Sequence, residues 1–164
     1  MKVIARALVL LMGLAPGLAA EAPSVDHQPV PCTLPEKPSS LCATITSEGN
    51  VAAARIYFRP ANDKFYSFVD MAFGGLQFCG TVPGAHVAKV AAIEYYVQAV
   101  DDKYESQRTS TFNMNVTPEC EFPPVLKDAP TSPIVVHATS QKQGKKLPEE
   151  FVQTGASFVP VVTH

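Results

Sequence analysis

His27, His86 and His137 are side chains of this sequence that could serve as general bases. Nucleophilic catalysis would place one of them beside an activated serine or cysteine and an orienting acid. No serine lies in a Gly-x-Ser-x-Gly elbow, and the cysteines are expected to be oxidised. We therefore interpret the histidines as loop residues, predict no catalytic residue, and expect a protein that is not an enzyme.

Two groups of residues could bind a metal ion. Asp101 and Asp102 could meet calcium in a turn, and Met71 and Met114 could join a histidine around copper. Turn aspartates more often cap backbone N–H groups, and both methionines fall at positions predicted to face the core. We expect no metal and no cofactor.

The best candidates for binding are Tyr57, Tyr96, Arg55 and Arg59. They fall at outward positions of two strands that are expected to be adjacent. Tyrosine and arginine are favoured at interfaces because they offer a large contact area. The four residues predict a face that binds a protein, or a sugar by ring stacking. The alternative is that the C-terminal segment covers this face.

This face depends on one long strand, predicted over Ala91–Asp102, in which apolar and polar positions alternate. The side-chain period of a strand is two, so alternate residues point to opposite faces. The residues predicted inward are Ile93, Tyr95, Val97 and Ala99, and those predicted outward are Glu94, Tyr96, Gln98 and Val100.

Five further strands are separated by turns rich in glycine, proline and asparagine. Their side-chain patterns place Leu41, Ala43, Ile45, Ala52, Ala54, Ile56, Phe58, Leu76, Phe78 and Val82 inward. Strands at this spacing predict an all-β sandwich of about six or seven strands. The five strands are predicted over 41–47, 51–59, 64–73, 76–82 and 107–117.

Residues 1–20 have the layout of a cleaved signal peptide, with Lys2 and Arg6 before an apolar run and small residues at Ala19 and Ala20. A retained membrane anchor is the alternative, but the apolar run is short for a bilayer. We expect a periplasmic or secreted protein with no membrane span after cleavage.

The mature chain from Glu21 has 11 basic and 15 acidic residues, a net charge of −4. This charge argues against nucleic acid as a partner, because phosphate binding needs a basic face. A proline-rich arm over 21–40 precedes the sandwich domain of 41–117, and a second proline-rich stretch over 118–133 is a linker.

The C-terminal segment, 134–164, is too small to bury its own core. We expect it to dock on the sandwich, although it could instead wait for a partner. It could add an edge strand at 134–136 and a single helical turn at 147–151.

Four cysteines in a secreted chain suggest two disulfides. Cys42 and Cys79 lie at outward positions of the first and fourth predicted strands, which can be neighbours in one sheet. We favour Cys42–Cys79, with Cys32–Cys120 joining the arm to the end of the last strand. The rival pairing is Cys32–Cys42 with Cys79–Cys120.

Several stretches together resemble a group of secreted bacterial proteins of unassigned activity that have a fibronectin type III or immunoglobulin-like sandwich domain. The resemblance covers roughly residues 26–160 and implies the fold, but it implies no catalytic residue. The second cysteine pair looks like an addition to the usual pattern of the group. The stretches are 26–30, 51–59, Phe65-Tyr66, 69–71, 78–83, 93–99, Arg108-Thr109, 133–139, Leu147-Pro148 and Phe151.

The sequence therefore predicts a non-enzymatic binding or structural module that uses a sheet face or loops to meet another envelope or secreted protein. The alternative is an accessory domain that binds envelope glycan, or a small hydrolase. Paired carboxylates in a groove would favour a hydrolase, and Glu94, Asp101 and Asp102 are the candidates.

Overall fold

The computed structural model describes residues 21–121, 123–124 and 132–162, so the predicted signal peptide lies outside it. The described chain contains twelve strands, a single 3₁₀ turn at Gln141–Gln143, and no α-helix. The strands are β1 Ser24–Asp26, β2 Cys32–Thr33, β3 Ser39–Thr46, β4 Val51–Pro60, β5 Ser67–Asp70, β6 Ala72–Phe73, β7 Phe78–Val82, β8 Ala92–Asp101, β9 Ser106–Arg108, β10 Phe112–Val116, β11 Ile134–Ala138 and β12 Ala156–Val159.

The strands form two sheets, and the fold is all-β as the sequence predicted. The smaller sheet has the order β1-β3-β7-β6. The larger has the order β12-β11-β5-β4-β8-β10-β2, with β9 also paired to β8. Buried residues of both sheets form one apolar cluster. This arrangement is that of a sandwich, and the twelve strands exceed the predicted six or seven because many are short.

The centre of the large sheet is the antiparallel pair of β4 and β8. Ile56 pairs with Val97, Tyr57 with Tyr96, and Arg59 with Glu94. The inward residues predicted on β8, from Ile93 to Ala99, are all buried. Alternation over ten residues therefore predicted both faces of this strand correctly.

Two predicted strands are each divided into two. The stretch 64–73 contains β5 in the large sheet and β6 in the small sheet, because the chain changes sheet at Met71. The Met71 N–H donates to the carbonyl of Ala54 on β4 at 2.8 Å. The stretch 107–117 divides into β9 and β10 around Thr109, whose N–H donates to Val97 at 2.9 Å.

Two residues predicted to face the core do not. Leu76 is 89% exposed because it lies in the turn between β6 and β7, before β7 begins. Ala52 is exposed beside an irregularity in the pairing of β4 with β8, between Val51 and Ala53. An irregularity of this kind breaks the side-chain alternation.

The proline-rich arm contributes a strand to each of the two sheets. β1 pairs antiparallel with β3 in the small sheet, and β2 pairs parallel with β10 in the large sheet. His27 lies between these two strands of the arm. Its Nδ1 donates to the carbonyl of Cys42 at 2.7 Å, and its Nε2 is 2.9 Å from the hydroxyl of Tyr95. The His27 side chain therefore joins one sheet to the other.

The C-terminal segment packs onto the sandwich. β11 pairs antiparallel with β5, and β12 pairs parallel with β11, so the segment extends the large sheet. Phe151 is 1% exposed and contacts Phe58 edge-on, with ring centroids 5.2 Å apart. The single helical turn expected at 147–151 is a hydrogen-bonded turn without a helix, in which the Phe151 N–H donates to the carbonyl of Pro148 at 3.0 Å; Phe151 also forms an isolated bridge with Ala85.

Two disulfides are present, Cys42–Cys79 and Cys32–Cys120, the pairing favoured from the strand order. Cys42 and Cys79 are directly opposite each other on β3 and β7. Cys32–Cys120 ties the arm to the chain that follows β10, at the start of the predicted linker. Residues 122 and 125–131 of that linker lie outside the described chain.

A junction of three segments lies at the loop after β7, and we call it the Gly84 junction. The carbonyl of Ala85 accepts from the N–H of Glu36 in the arm at 2.8 Å. The carbonyl of Gly84 accepts from Val152 of the C-terminal segment, also at 2.8 Å. The arm and the C-terminal segment are therefore held by the same loop.

Candidate functional site

A row of four aromatic side chains crosses the outer face of the large sheet. His137 on β11 is paired with Phe68 on β5, Phe68 with Tyr57 on β4, and Tyr57 with Tyr96 on β8. These residues lie on the outer face because the residues on either side of each are buried on β4, β5, β8 and β11. We call them the aromatic row.

The rings of the aromatic row are stacked against one another. Tyr57 and Tyr96 are parallel within 8°, with centroids 4.8 Å apart, and Phe68 and His137 are parallel within 11° at 4.8 Å. Tyr57 and Phe68 are tilted by 39° at 5.4 Å. Because each inner ring has a neighbour on both sides, the row presents ring edges to solvent more than ring faces.

Three arginines lie over rings of this face. The Arg108 guanidinium lies 4.9 Å from the centroid of Tyr96, and that of Arg55 lies 4.6 Å from the centroid of Phe68. Arg59 lies 4.4 Å from the centroid of Tyr66, whose ring meets Tyr96 edge-on at 5.1 Å. Each contact is of the cation–π type.

Two of these arginines are neutralised by acids of neighbouring strands. Arg59 donates twice to Glu94, at 2.6 and 2.8 Å, and Arg55 donates to Asp70 at 3.0 Å. Asp70 is also 3.7 Å from the Nε2 of His137. The ion pairs among the described residues do not include Arg108, which is exposed. The face therefore carries one uncompensated guanidinium within the described chain.

Three side chains of the face, Arg55, Arg59 and Tyr96, have shifted pKa values. Partial burial lowers the pKa of Arg55, but its hydrogen bond to Asp70 and its contacts with Tyr57 outweigh this and raise the pKa above the usual value. Burial likewise lowers the pKa of Arg59, and the hydrogen bond to Glu94 and nearby charges raise it overall. Burial, with the proximity of Tyr57, raises the pKa of Tyr96 despite the charge of Arg108. Tyr96 therefore stays a neutral phenol.

All four residues predicted for a binding face lie together here, namely Tyr57, Tyr96, Arg55 and Arg59. The expectation that the C-terminal segment might cover them is wrong. β11 lies at the side of the face and adds His137 to it. Sequence reasoning missed Phe68. It lies on the outer face between the buried residues Ser67 and Val69, and strand alternation is the signal that could have found it. The other missed members are Tyr66, Arg108 and His137.

The residues considered for catalysis lie apart on different elements. His27 bridges the sheets, His86 contacts Glu36 at 3.2 Å, and His137 stacks on Phe68. The Asp101 carboxylate accepts from the N–H groups of Lys103 and Glu105 at 2.9 and 2.8 Å. Asp101 is therefore a turn cap.

The candidate metal ligands have structural contacts as well. Asp102 accepts from Asn50, and Met71 and Met114 are buried in the apolar cluster. Within the described chain, no three or more histidine, cysteine, aspartate or glutamate side chains are grouped so that they could hold a metal ion.

A groove of about 480 Å³ opens beside the aromatic row. Its walls come from β5, β7 and β11, and Asp70 and His137 are its charged or titratable groups. Its walls are of mixed character, with Val69 and Ile134 beside Thr81 and Ser132. The groove shares His137 with the aromatic row and Asp70 with the ion pair of Arg55, and is therefore continuous with that face.

The fold and this face define an all-β, sandwich-like protein with two disulfides and an aromatic–arginine surface. The disulfides fit an oxidising compartment outside the cytoplasm. Among the described residues, no helix is long and apolar enough to span a bilayer. Comparison with protein-family models, with curated proteins and with solved structures found no match.

Proposed function

We propose that this chain is a non-enzymatic binding or structural module, secreted or periplasmic, whose aromatic row and its arginines form a contact surface for another envelope or secreted protein. The single observation that supports this most is the continuous stack from Arg108 through Tyr96, Tyr57 and Phe68 to His137. It is a rigid surface of the residue types that interfaces favour. The fibronectin type III or immunoglobulin-like resemblance belongs to the same proposal.

The stack favours a protein partner over a glycan. A sugar binds aromatic side chains by lying flat on an open ring face. Here the faces of Tyr96 are occupied by Tyr57 and Arg108, and those of Phe68 by His137, Tyr57 and Arg55. Opening one face would cost on the order of 1–3 kcal/mol before any sugar contact forms. Ring edges, hydroxyls and guanidiniums remain available, and they suit a polar protein surface.

The contacts of the acidic residues give little support to the alternative of a small glycan hydrolase. Paired carboxylates would have to flank one groove. Glu94 is bonded to Arg59 near one end of β8, while Asp101 caps the turn at the other end. The two carboxylates are thus separated by the length of the strand.

Site-specific photocrosslinking tests the proposal. A photoreactive residue replaces Gln98, which lies on the outer face of β8 beside Tyr96, and in a control it replaces Thr46, exposed on the small sheet. We expect a discrete adduct with an envelope or secreted protein from position 98 only, and an excess of unmodified protein should compete with it. Equal adducts from both positions, or none from position 98, would reject the aromatic row as a contact surface.

A further inference from the structure

The corner of the aromatic row at Tyr57, Tyr96 and Arg108 carries several hydrogen-bond donors, of which one on Arg108 is directed at the Tyr96 hydroxyl. Arg108 takes part in none of the ion pairs of the described chain, whereas Arg55 and Arg59 each bind an acid. Tyr66 donates its O–H to Glu94 at 3.4 Å and Tyr95 contacts His27. The hydroxyls of Tyr57 and Tyr96 donate to no acceptor among the described residues.

These donors are held in place before any ligand arrives. Tyr57 and Tyr96 are stacked in parallel on neighbouring central strands, and Tyr57 is close enough to raise the pKa of Tyr96. Arg108 lies over the other face of Tyr96 and is set by the pairing of β9 with Gln98 of β8. The raised pKa of Tyr96 keeps its phenol protonated, and therefore a donor, at every pH near neutrality. Little side-chain entropy remains to be lost on binding.

We propose that this corner binds a carboxylate of an acidic segment in the protein partner, with Arg108 supplying the charge and the two tyrosine hydroxyls supplying further hydrogen bonds. This inference rests on the proposed function, because it names the chemistry of the partner at the same surface. A planar guanidinium and two phenols match the acceptor oxygens of a carboxylate. An acidic glycan is the rival, and it is disfavoured because the ring faces are covered.

Titration with a defined peptide tests the assignment. The probe is a tetraglutamate peptide blocked at both ends, and the matched peptide is tetraglutamine. In nitrogen–proton spectra we expect saturable shifts of the Arg108 side-chain Nε–H and of the Tyr57 and Tyr96 amides with tetraglutamate only. Equal shifts with tetraglutamine, no shifts with either peptide, or shifts centred elsewhere would overturn the carboxylate site.

Two matched pairs of variants complete the test. Arg108→Gln should weaken tetraglutamate binding about tenfold or more, the usual size for losing a charge-assisted bond. Lys145→Gln also removes one positive charge, at an exposed residue of the C-terminal segment, and it should leave binding unchanged. Tyr96→Phe should weaken binding severalfold, and Tyr104→Phe should not. Equal effects of Arg108→Gln and Lys145→Gln would mean that only net charge is sensed, and would overturn the proposal.

The failure of this inference can be told apart from failure of the proposed function. If position 98 gives its adduct but tetraglutamate does not shift Arg108, the face is an interface and only the carboxylate assignment is wrong. If blocked oligogalacturonate shifts the same residues more strongly than tetraglutamate, the choice of a protein carboxylate is overturned in favour of an acidic glycan.

Discussion

Tyr95 is the residue on which the connection between the two sheets and the arm depends. It is fully buried on β8, and its hydroxyl accepts from the N–H of Val30 at 2.9 Å. The Nδ1 of His27 faces a carbonyl, which can only accept, so Nδ1 carries the proton of the neutral ring and Nε2 accepts from Tyr95. One phenol thus satisfies two groups of the arm from inside the core.

Tyr95→Phe should lower the free energy of unfolding by about 1–3 kcal/mol, because it leaves the Val30 N–H and one nitrogen of His27 without a partner. Urea denaturation followed by circular dichroism measures the change. The matched control is Tyr104→Phe, which removes a hydroxyl from a side chain that is 90% exposed and should change stability by less than about 0.5 kcal/mol. Equal stability of the two variants would contradict the role assigned to Tyr95.

The tyrosines of β8 also predict a loss of stability in alkali. Burial raises the pKa of Tyr95, and burial with the proximity of Tyr57 raises that of Tyr96. The folded state therefore holds these protons more tightly than the unfolded state, whose tyrosines titrate near 10. Stability should be complete below about pH 10 and should fall as the pH rises above it.

Urea denaturation between neutral pH and strong alkali, together with the ultraviolet absorbance of tyrosinate, measures this fall. Tyr95→Phe should make it shallower, because one of the two shifted phenols is then absent. A free energy of unfolding that stays constant above pH 10 would contradict the prediction.

At the scale of the strands, the sequence pattern predicts faces better than it predicts which sheet a strand joins. Ser67, Val69 and Met71 are buried in unbroken alternation, yet the chain leaves the large sheet between β5 and β6. Alternation reports only which side of the chain is buried, and in a sandwich the core lies on the inner side of both sheets. The change of sheet at Met71 therefore leaves no mark in the sequence, whereas β4 and β8, which each stay in one sheet, were predicted almost to the residue.

β12 ends the large sheet with an edge that offers few hydrogen bonds. The N–H of Ile134 donates to Gly155, which fixes which residues of β12 point toward β11. By alternation, the backbone groups of Ala156 and Phe158 point outward, followed by Pro160. The Ala156 N–H is bonded within the preceding turn, and proline has no N–H. Such an edge resists the addition of another chain.

Gly84→Ala should destabilise the protein by about 1–3 kcal/mol, the usual cost of overpacking. A Cβ at position 84 would overlap the backbone of Glu36 and lie 2.8 Å from the Lys37 nitrogen, so no side-chain movement can relieve the clash. Gly74→Ala is the control, because its Cβ would meet only the Gln77 carbonyl at an ordinary 3.6 Å. Thermal and urea denaturation compare the two, and equal stability would mean that the arm is not held tightly at the Gly84 junction.

For the molecule as a whole, the C-terminal segment completes the core. Phe151 is 1% exposed and packs on Phe58, itself fully buried on β4. Phe151→Ala should cost about 3–5 kcal/mol by creating a cavity, and Phe151→Leu should cost less. Val162→Ala, at a side chain that is 68% exposed, should have almost no effect. Urea denaturation ranks the three variants. A Phe151→Ala protein as stable as Val162→Ala would show that the segment does not contribute to the core.

Only half of the candidate site could be predicted from the sequence, because the other residues meet through contacts between elements that are distant in the chain. Tyr57 and Tyr96 lie on strands whose long alternation gives both their direction and their closeness. His137 reaches the same row from a strand that follows the linker, and its pairing with Phe68 is a contact between elements distant in sequence. Nothing local specifies that register. Arg108 is missed similarly, because the break at Thr109 sets β9 apart from β10.

The position of Phe151 has a consequence for how the protein is made. A chain emerging from the ribosome or a translocation channel presents β4 and β8 long before β11 and Phe151 are available to cover Phe58. We expect the nascent sandwich to remain incompletely closed during synthesis, a state that a translocation channel accepts and a chaperone can recognise. A chain stalled before Phe151 should then be cut rapidly by protease, and the released chain of 164 residues should resist. Equal resistance of the stalled and released chains would show that the sandwich closes without its last segment.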